Sequence, residues 1–183
     1  MSPPFPADGA RARRLERMIR VDHAGEFGAV QIYRGQRAVF DRLPGKARTA
    51  ALIAEMEAGE AEHLDAFDRL IAERNVRPTA MAPLWRIAGF GLGAATALLG
   101  EKAAHACTAA VEEVIEEHYA DQLRALGEEE PAFRRTIEKF RADEIGHRET
   151  ALKEGAEEAP GYRLLSSAIK LGCRAAIRIS ERV

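Results

Sequence analysis

Apolar residues recur at every third or fourth position along most of this chain. That spacing is the repeat of a helix that packs one face against other helices. Four such stripes run through residues 15–33, 56–70, 105–126 and 133–151. No segment alternates apolar and polar residues with the period of two expected of a half-buried strand. The pattern therefore predicts an all-α fold built as a four-helix bundle.

Proline and glycine divide this pattern into separate helices. The breaks fall at Pro44-Gly45, near Pro78, at Gly127 before Pro131, and at Pro160-Gly161. The predicted helices cover residues 8–42 (capped by Asp8), 46–74, 84–126, 131–155 and 162–179. A chain of 183 residues can bury one ordinary core. We therefore expect a single domain over residues 1–183.

Six acidic and imidazole residues stand on these stripes where Leu or Ile would be expected. They are Glu26, Glu60, His63, Glu112, Glu144 and His147. Each half of the chain repeats one order, a lone Glu followed by Glu-x-x-His, with 34 residues between the glutamates in the first half and 32 in the second. Because a helix rises ~1.5 Å per residue, that interval fits a return to the same depth on an antiparallel neighbour.

Burial of these six side chains needs a compensating charge. A buried carboxylate without a partner costs several kcal/mol, and four at one level also repel each other. A domain stable by only about 5–15 kcal/mol cannot absorb that cost, whereas two divalent cations would neutralise four glutamates. In the alternative interpretation, the glutamates lie on solvated faces and the histidines are ordinary core or surface residues. For any one of the six residues taken alone, that alternative is the better interpretation. It does not suit all six residues lying on core stripes in symmetric order.

The types of ligand indicate which metal would bind. Carboxylates with one imidazole per metal suit Fe(II) or Mn(II) and leave coordination positions open for dioxygen. The only cysteines, Cys107 and Cys173, do not have the spacing of zinc, iron–sulfur or disulfide sites. We expect both to pack as small apolar residues in a reducing compartment. A formal net charge of −2 argues against a nucleic-acid partner.

The segment 81–100 is unusually apolar. Its residues 87–100 carry no charge, but as a helix they would extend only ~21 Å, too little for a hydrocarbon core of ~30 Å. Trp85 and Arg86 stand at its edge, as membrane-interface anchors do. The last helix resembles a basic amphipathic surface helix, with Arg163, Lys170, Arg174 and Arg178. Contact with a membrane surface is favoured over the alternative of ordinary bundle core and a solvated charged face.

Several stretches of the chain closely resemble the demethoxyubiquinone hydroxylases, which are ferritin-like di-iron monooxygenases of ubiquinone biosynthesis. The most specific are Arg20-Val21-Asp22-His23-Ala24-Gly25-Glu26 and Ala106-Cys107-Thr108, which leads into Val111-Glu112-Glu113 and His118-Tyr119. Glu60-Ala61-Glu62-His63 and Asp143-Glu144-Ile145-Gly146-His147 carry the two Glu-x-x-His pairs. The resemblance extends from about Arg14 to the end of the chain.

This resemblance implies a ligand set and a reaction. Glu26 and His63 would be terminal ligands of one iron, Glu112 and His147 of the other, and Glu60 and Glu144 would bridge them. Glu113 lies one residue off the stripe and is not expected to be a ligand. The implied substrate is a polyprenylated benzoquinone or quinol that lacks one ring oxygen.

The implied reaction also requires O2 and an external electron donor, NADH or another reductant. No site for a nicotinamide is evident in the sequence. Gly89-x-Gly91-x-Gly93 follows no strand and has the wrong spacing for a dinucleotide fingerprint.

Other polar residues are candidates for supporting roles. Tyr33 and Tyr119 each follow a lone glutamate by seven residues, so both should face the cluster. Tyr119 is the candidate catalytic residue, for proton or electron transfer, with ordinary packing as the alternative. Asp143 is expected to accept a hydrogen bond from the non-metal nitrogen of a ligand histidine, and Asp22 is a similar candidate.

The glycines beside the first lone glutamate have two interpretations. Gly25 and Gly28 each lower helix stability by ~1 kcal/mol relative to Ala. They leave room either for a flat ring beside the metals or for close helix packing. His105 is expected in the core or in a substrate channel, and no role is assigned to His23 or His118.

The chain begins 25 residues before Glu26, which leaves little room for a removable presequence. We expect a bacterial-type protein bound peripherally to the cytoplasmic face of the cell membrane, with Arg86 and the last helix near anionic headgroups. The expected partners are the quinone, the membrane surface, other ubiquinone-biosynthesis proteins and a second copy in a homo-oligomer.

Two other functions compete with the hydroxylase. One is a soluble ferroxidase or peroxidase of the ferritin and rubrerythrin kind. It is disfavoured because the chain lacks a four-cysteine electron-transfer module and carries the apolar segment. The other is a non-catalytic lipid-binding bundle or adaptor, which requires the six residues to be incidental.

Overall fold

The computed structural model describes residues 6–183, with side chains from residue 9 onward. This range contains six α-helices and one 3-10 turn, and no strand. The helices are α1 (Pro6–Phe40), α2 (Ala47–Arg74), α3 (Ala82–Leu98), α4 (Glu101–Leu126), α5 (Pro131–Lys153) and α6 (Tyr162–Ser180), with the turn Ala156–Glu158 before α6. The predicted all-α class is confirmed. The side chain of Asp8, the predicted cap, lies outside the described residues.

The long third region predicted over residues 84–126 contains two helices. This region divides at Gly100, whose φ is +114°, into α3 and α4. Glycine adopts this backbone conformation readily because it has no Cβ. The break allows α3 to pack along α1, its most extensive neighbour, instead of extending α4.

The core lies between α1, α2, α4 and α5. The predicted stripes point into it, so that large side chains such as Ile19, Phe67 and Ile137 are almost fully buried. Burial of each such side chain contributes roughly 1.5–3 kcal/mol of hydrophobic stabilisation. The core side chains therefore hold these four helices in the register that fixes the candidate site.

Glycine is required where α3 contacts α1. A Cβ on Gly93 would overlap the carbonyl oxygen of Ile32, and one on Gly35 would overlap that of Phe90. Part of the small, apolar composition of segment 81–100 therefore serves close helix packing. The outward face of this segment exposes five large apolar side chains: Leu84, Ile87, Phe90, Leu98 and Leu99. In residues 6–183, no helix has the length and hydropathy needed to span a membrane.

α6 packs on the bundle through apolar side chains such as Ile169 and is joined to α4 by two ion pairs. Lys170 Nζ lies 2.6 Å from Glu113 Oε1, and Arg174 lies 2.9 Å from Glu117 Oε2. Two of the four basic residues expected to face lipid headgroups are thus paired within the protein. The outer side of α6 exposes Leu164 and Leu171.

Candidate metal centre

The six predicted residues converge in the bundle interior. α1 and α4 each supply one lone glutamate, and α2 and α5 each supply a Glu-x-x-His pair. Their donor atoms form two groups, each lying within 4.8 Å: Glu26, Glu60, His63 and Glu144, and then Glu60, Glu112, Glu144 and His147. We name these six residues the carboxylate cluster. Glu113 lies outside it, paired with α6.

Glu60 and Glu144 belong to both groups because each turns one oxygen toward each histidine. His63 Nδ1 lies 3.7 Å from Glu60 Oε2 and 3.2 Å from Glu144 Oε1. His147 Nδ1 lies 2.8 Å from Glu60 Oε1 and 3.5 Å from Glu144 Oε2. Two shared carboxylates between two imidazoles form a symmetric frame in which each carboxylate could bridge two cations.

The inward donor atoms of the cluster have no hydrogen-bond partner within the described residues. The four glutamates are fully buried, and the atoms without a partner are both carboxylate oxygens of Glu60 and Glu144, one each of Glu26 and Glu112, and Nδ1 of both histidines. Buried polar atoms are normally paired, since each unpaired one costs about 1–3 kcal/mol. This set of oxygen and nitrogen donors fits two hard divalent cations.

The protonation states of the cluster reflect the burial of four carboxylates close to one another. Burial raises the pKa of Glu26 to about 7, and burial together with the nearby Glu144 and Glu60 raises the pKa of Glu112 well above its usual value. Burial alone would favour the neutral form of His147, but the contacts with Glu144 and Glu60 raise its pKa to about 11. Without cations, the cluster therefore retains protons that metal ions would displace.

The two tyrosines cross over between the halves of the cluster. Tyr33 lies on α1 with Glu26 but donates a hydrogen bond of 2.5 Å to Glu112 Oε1. Tyr119 lies on α4 with Glu112 but donates to Glu26 Oε1. Burial raises the pKa of both phenols well above the usual value. Both therefore remain neutral donors that fix the two lone carboxylates.

Asp143 makes the predicted contact, whereas Asp22 does not. His63 Nε2 donates to Asp143 Oδ2 at 3.1 Å, which leaves Nδ1 directed into the cluster. Carboxylates commonly orient metal-binding imidazoles in this way. Asp22 instead accepts hydrogen bonds from Gln122 at 2.6 Å and from His118 at 3.1 Å. The prediction for Asp22 is therefore wrong, because neither partner belongs to the cluster.

Two other histidines lie outside the cluster. His105 is buried in α4 and does not line the apolar cavity, which agrees with the expected core position. His23 Nε2 lies 3.0 Å from Asp68 Oδ1 and links α1 to α2.

An apolar cavity of about 540 Å³ reaches the cluster from one side. Its walls come from α1, α3, α4 and α6, and its lining includes Glu26 and Tyr119. Gly25 and Gly28 also line it, and a Cβ on either would meet nothing within 4 Å. The glycines beside Glu26 therefore leave open space, and close helix packing does not explain them. Such a volume suits a small flat ring with an apolar substituent.

Sequence analysis did not identify the cavity or Trp85 as one of its walls. Trp85 lines the cavity, and its indole N–H donates to Ser180 Oγ at 3.0 Å. It therefore joins α3 to α6, although the sequence suggested a free anchor at lipid headgroups. The pattern of α3 gave no signal of this contact, which depends on how α6 returns across the bundle.

Comparison with known proteins gives one consistent result. The family described as ubiquinone biosynthesis protein COQ7 matches residues 13–180. A Rhodospirillum rubrum protein named 3-demethoxyubiquinol 3-hydroxylase is 49% identical over 98% of this chain and 83% of its own length. A human protein named NADPH-dependent 3-demethoxyubiquinone 3-hydroxylase, mitochondrial, is 46% identical over 96% of this chain and 81% of its own length.

Proposed function

The chain belongs to the COQ7 family of ubiquinone biosynthesis proteins, and we propose that this demethoxyubiquinone hydroxylase works with two iron ions held by the carboxylate cluster. Glu26 and His63 would be the terminal ligands of one iron, and Glu112 and His147 those of the other. Glu60 and Glu144 would bridge the pair. The observation that carries this assignment is that each of these two carboxylates turns one oxygen toward each histidine.

The reaction is a monooxygenation. Two Fe(II) ions held by the carboxylate cluster would supply two electrons for the activation of O2. One oxygen atom of O2 enters the quinone ring and the other leaves as water. The balance needs two electrons and two protons from an external reductant. The human relative is named NADPH-dependent, which supports a reduced nicotinamide in this role.

The cavity indicates how the protein positions its substrate. The ring would lie beside Gly25 and Gly28, where no side chain occupies the space next to Glu26. Tyr119 faces both the cavity and Glu26, so it is placed to move a proton between the ring and the cluster. The polyprenyl tail would leave between α3 and α6, whose apolar side chains form the remaining wall.

We also propose that residues 1–183 form one ferritin-like domain that binds peripherally to a membrane. The exposed apolar side chains of α3 and α6, such as Ile87 and Leu164 at 69% and 79% exposure, would enter the headgroup region and admit the tail. Basic residues of α6 favour a leaflet rich in anionic lipid, which is typical of the cytoplasmic face. Partner proteins and self-association at this face are further proposals.

Anaerobic reconstitution with Fe(II) tests the metal assignment. We expect about two irons per chain and an optical change on addition of O2, followed by hydroxylation of a short-tailed demethoxyubiquinone when a reductant is present. Iron oxidation without ring hydroxylation would favour a ferroxidase. A protein that binds no iron would leave only the lipid-binding bundle.

Membrane contact has a separate test. Replacing Leu84, Ile87 and Phe90 with Ser should release the protein from vesicles that contain anionic lipid, with its iron content unchanged. Leu43→Ser with Leu152→Ser is the control, because these exposed leucines lie on other elements. Equal retention of both variants would contradict the proposed face.

A further inference from the structure

A line of polar residues runs along α4 from the surface to the carboxylate cluster. Glu101, His105, Thr108 and Glu112 are spaced by four, three and four residues, which places them on one face of the helix. The side chain of Glu101 is 35% exposed, whereas the other three residues are buried. No residue of the range 101–110 lines the apolar cavity. The line therefore approaches the cluster from the side away from that cavity.

Three buried atoms along this line have no hydrogen-bond partner within residues 9–183. They are Nδ1 of His105, Oγ1 of Thr108 and Oε1 of Gln36. Gln36 belongs to α1 but reaches this level of α4, because its Nε2 donates to the carbonyl oxygen of Ala104 at 3.1 Å. Buried polar atoms are normally paired, so three unpaired atoms within about one turn of α4 indicate a missing ligand. We name His105, Thr108 and Gln36 the polar file.

The hydroxyl group of Thr108 is not used by the helix itself. A threonine inside a helix often donates to the carbonyl oxygen four residues earlier, which here is that of Ala104. That oxygen accepts from Gln36 instead, and the Thr108 hydroxyl has no partner in the described part of the chain. On α3, by contrast, the Thr96 hydroxyl donates to the carbonyl oxygen of Leu92 at 2.9 Å. The Thr108 hydroxyl is therefore available to a ligand.

His105 connects the buried atoms to the surface. Burial lowers the pKa of His105, and the charges of the nearby Glu154 and Glu101 oppose this effect. The ring is therefore neutral at physiological pH, with one nitrogen that donates and one that accepts. Lys46 donates to Glu101 at 2.7 Å, and Arg48 donates to both oxygens of Glu154 at 2.6 Å. Because these surface charges are balanced, the entrance favours a neutral molecule over a metal ion.

Water fits the groups of the polar file. Residues one turn apart on a helix have Cβ atoms about 5–6 Å apart, a gap that one water molecule spans with two hydrogen bonds of about 2.7–2.8 Å each. A buried water typically makes about three hydrogen bonds. Gln36 Oε1 accepts, the Thr108 hydroxyl donates and accepts, and His105 Nδ1 does either according to its tautomer. The file thus offers the mixture of partners that water requires.

We propose that the polar file holds a chain of water molecules that carries protons from the surface at Glu101 to the level of Glu112 in the carboxylate cluster. His105 takes up a proton at one ring nitrogen and releases one from the other. The Thr108 hydroxyl likewise accepts one proton and donates one, so neither group changes its number of protons. The inference rests on the proposed function for the use of these protons, since the reaction consumes two when one oxygen atom leaves as water. The quinone would fill the apolar cavity, and the file supplies protons from the other side.

A high-resolution crystal structure of the protein prepared with Fe(II) tests the water chain. Ordered water should lie within about 2.7–3.2 Å of Gln36 Oε1, His105 Nδ1 and Thr108 Oγ1. The variant Thr108→Val keeps a branched side chain but removes the hydroxyl, so the water beside residue 108 should be lost. A dry file, or direct hydrogen bonds among the three side chains, overturns the proposal.

Turnover of a short-tailed demethoxyubiquinone tests proton delivery. Thr108→Val should lower kcat by about tenfold and raise the ratio of kcat in H2O to kcat in D2O, because proton transfer becomes limiting. KM for the quinone and the iron content should not change. Thr108→Ser restores a hydroxyl and should recover most of the lost rate. An unchanged kcat in Thr108→Val, or a loss that Thr108→Ser does not recover, contradicts the proposed role.

Thr96→Val is the matched control for this series. It also removes a buried threonine hydroxyl, but one that bonds to the backbone of its own helix, so kcat and the solvent isotope effect should stay unchanged. A second variant, His105→Leu, interrupts the same chain of water. Combined with Thr108→Val, it should lower kcat no further than either change alone. Losses that multiply would assign the two residues independent roles and overturn a shared path.

The crystal structure and the assay separate this inference from the proposed function. Ordered water in the file of a protein that does not hydroxylate the quinone would support the water chain and count against the hydroxylase mechanism. A dry file in an active hydroxylase would overturn the water chain alone and leave the proposed function intact.

Discussion

The two halves of the carboxylate cluster repeat each other in sequence but not in surroundings. The half with Glu26 and Tyr119 borders the apolar cavity, and neither Glu112 nor Tyr33 lines it. The imidazoles of the two halves also differ in their exposure to solvent. The His63 side chain is 2% exposed and bonded to Asp143, whereas that of His147 is 17% exposed.

Neighbouring residues explain this difference. His63 stacks on Phe140 with ring centroids 4.0 Å apart, which shields it from water. His147 lies beside Gly59, where an added Cβ would come within 3.3 Å of the ring. The repeat therefore supplies two similar groups of donor atoms. The packing around them places one group beside the cavity and leaves the histidine of the other more exposed to solvent.

The largest expected effect comes from removing a carboxylate that both halves of the cluster share. Glu60→Ala deletes a proposed bridge, so iron content should fall from about two to below about one per chain, and hydroxylation should be lost. Metal analysis and a turnover assay measure this. Glu113→Ala is the control, since Glu113 contacts α6, and it should retain most activity. An inactive Glu113→Ala beside an active Glu112→Ala would show that the α4 ligand is misassigned.

The two tyrosines test whether the halves differ in function. Tyr119→Phe should lower kcat by about 10- to 100-fold, within the range of general acid–base effects, because Tyr119 faces the cavity. Tyr33→Phe should lower it by less than about threefold, because Tyr33 serves the half away from the cavity. Iron content should stay near two in both variants. Equal losses would mean that the cavity does not decide which half acts on substrate.

Metal removal should have a pH-dependent effect on stability. In the metal-free protein, burial raises the pKa of Glu26 from 4.5 to about 7, so the folded state holds more protons than the unfolded chain in that window. Its stability therefore falls as pH rises between these values, and the raised pKa of His147 acts in the same direction. Bound metal replaces the protons. The gap in Tm between iron-loaded and metal-free protein should widen from about pH 5.5 to about pH 7.5, as calorimetry can measure. A difference in Tm that does not change with pH would contradict the exchange of protons for metal.

The smallest expected effect concerns the cavity beside the first half. Gly25→Leu should raise KM for the quinone by about five- to tenfold, since the added side chain occupies space that the ring needs. The fold should tolerate it, because a Cβ at Gly25 meets nothing within 4 Å. Gly91→Leu is the matched control. Gly91 is equally open and does not line the cavity. An unchanged KM in Gly25→Leu would place the ring elsewhere.

Much of the carboxylate cluster could be predicted because its signal is local. Polar residues on an apolar stripe of period 3.6 reveal their direction without knowledge of the partner helix. The convergence of the six residues and the contact between His63 and Asp143 follow from that logic. The hydrogen-bond partners of Asp22 could not be predicted in this way, because they are side chains that α4 places opposite it.

The cavity could not be predicted from the same signal. Gly100 ends the uncharged run 87–100, but a single glycine in a helical pattern does not by itself mark a break, so the division between α3 and α4 was not predicted. The small, apolar residues that allow the close contact of Gly93 with α1 also have the composition of a membrane-contacting segment. The role of Trp85 depends on α6, which lies 95 residues away at Ser180. Long-range contacts of this kind leave no periodic trace in the sequence.

The bond between Trp85 and Ser180 sets how the cavity can open. α3 packs mainly on α1, with close backbone contacts at Gly35 and Gly93. α6 packs mainly on α4, through apolar side chains such as Ile169 and through two ion pairs. One hydrogen bond with a net contribution of about 1 kcal/mol links α3 to α6 at the cavity wall. If the tail of the quinone leaves between α3 and α6, as proposed, breaking this bond would widen its exit, and the residence time of a long-tailed quinone would depend on how often the bond breaks.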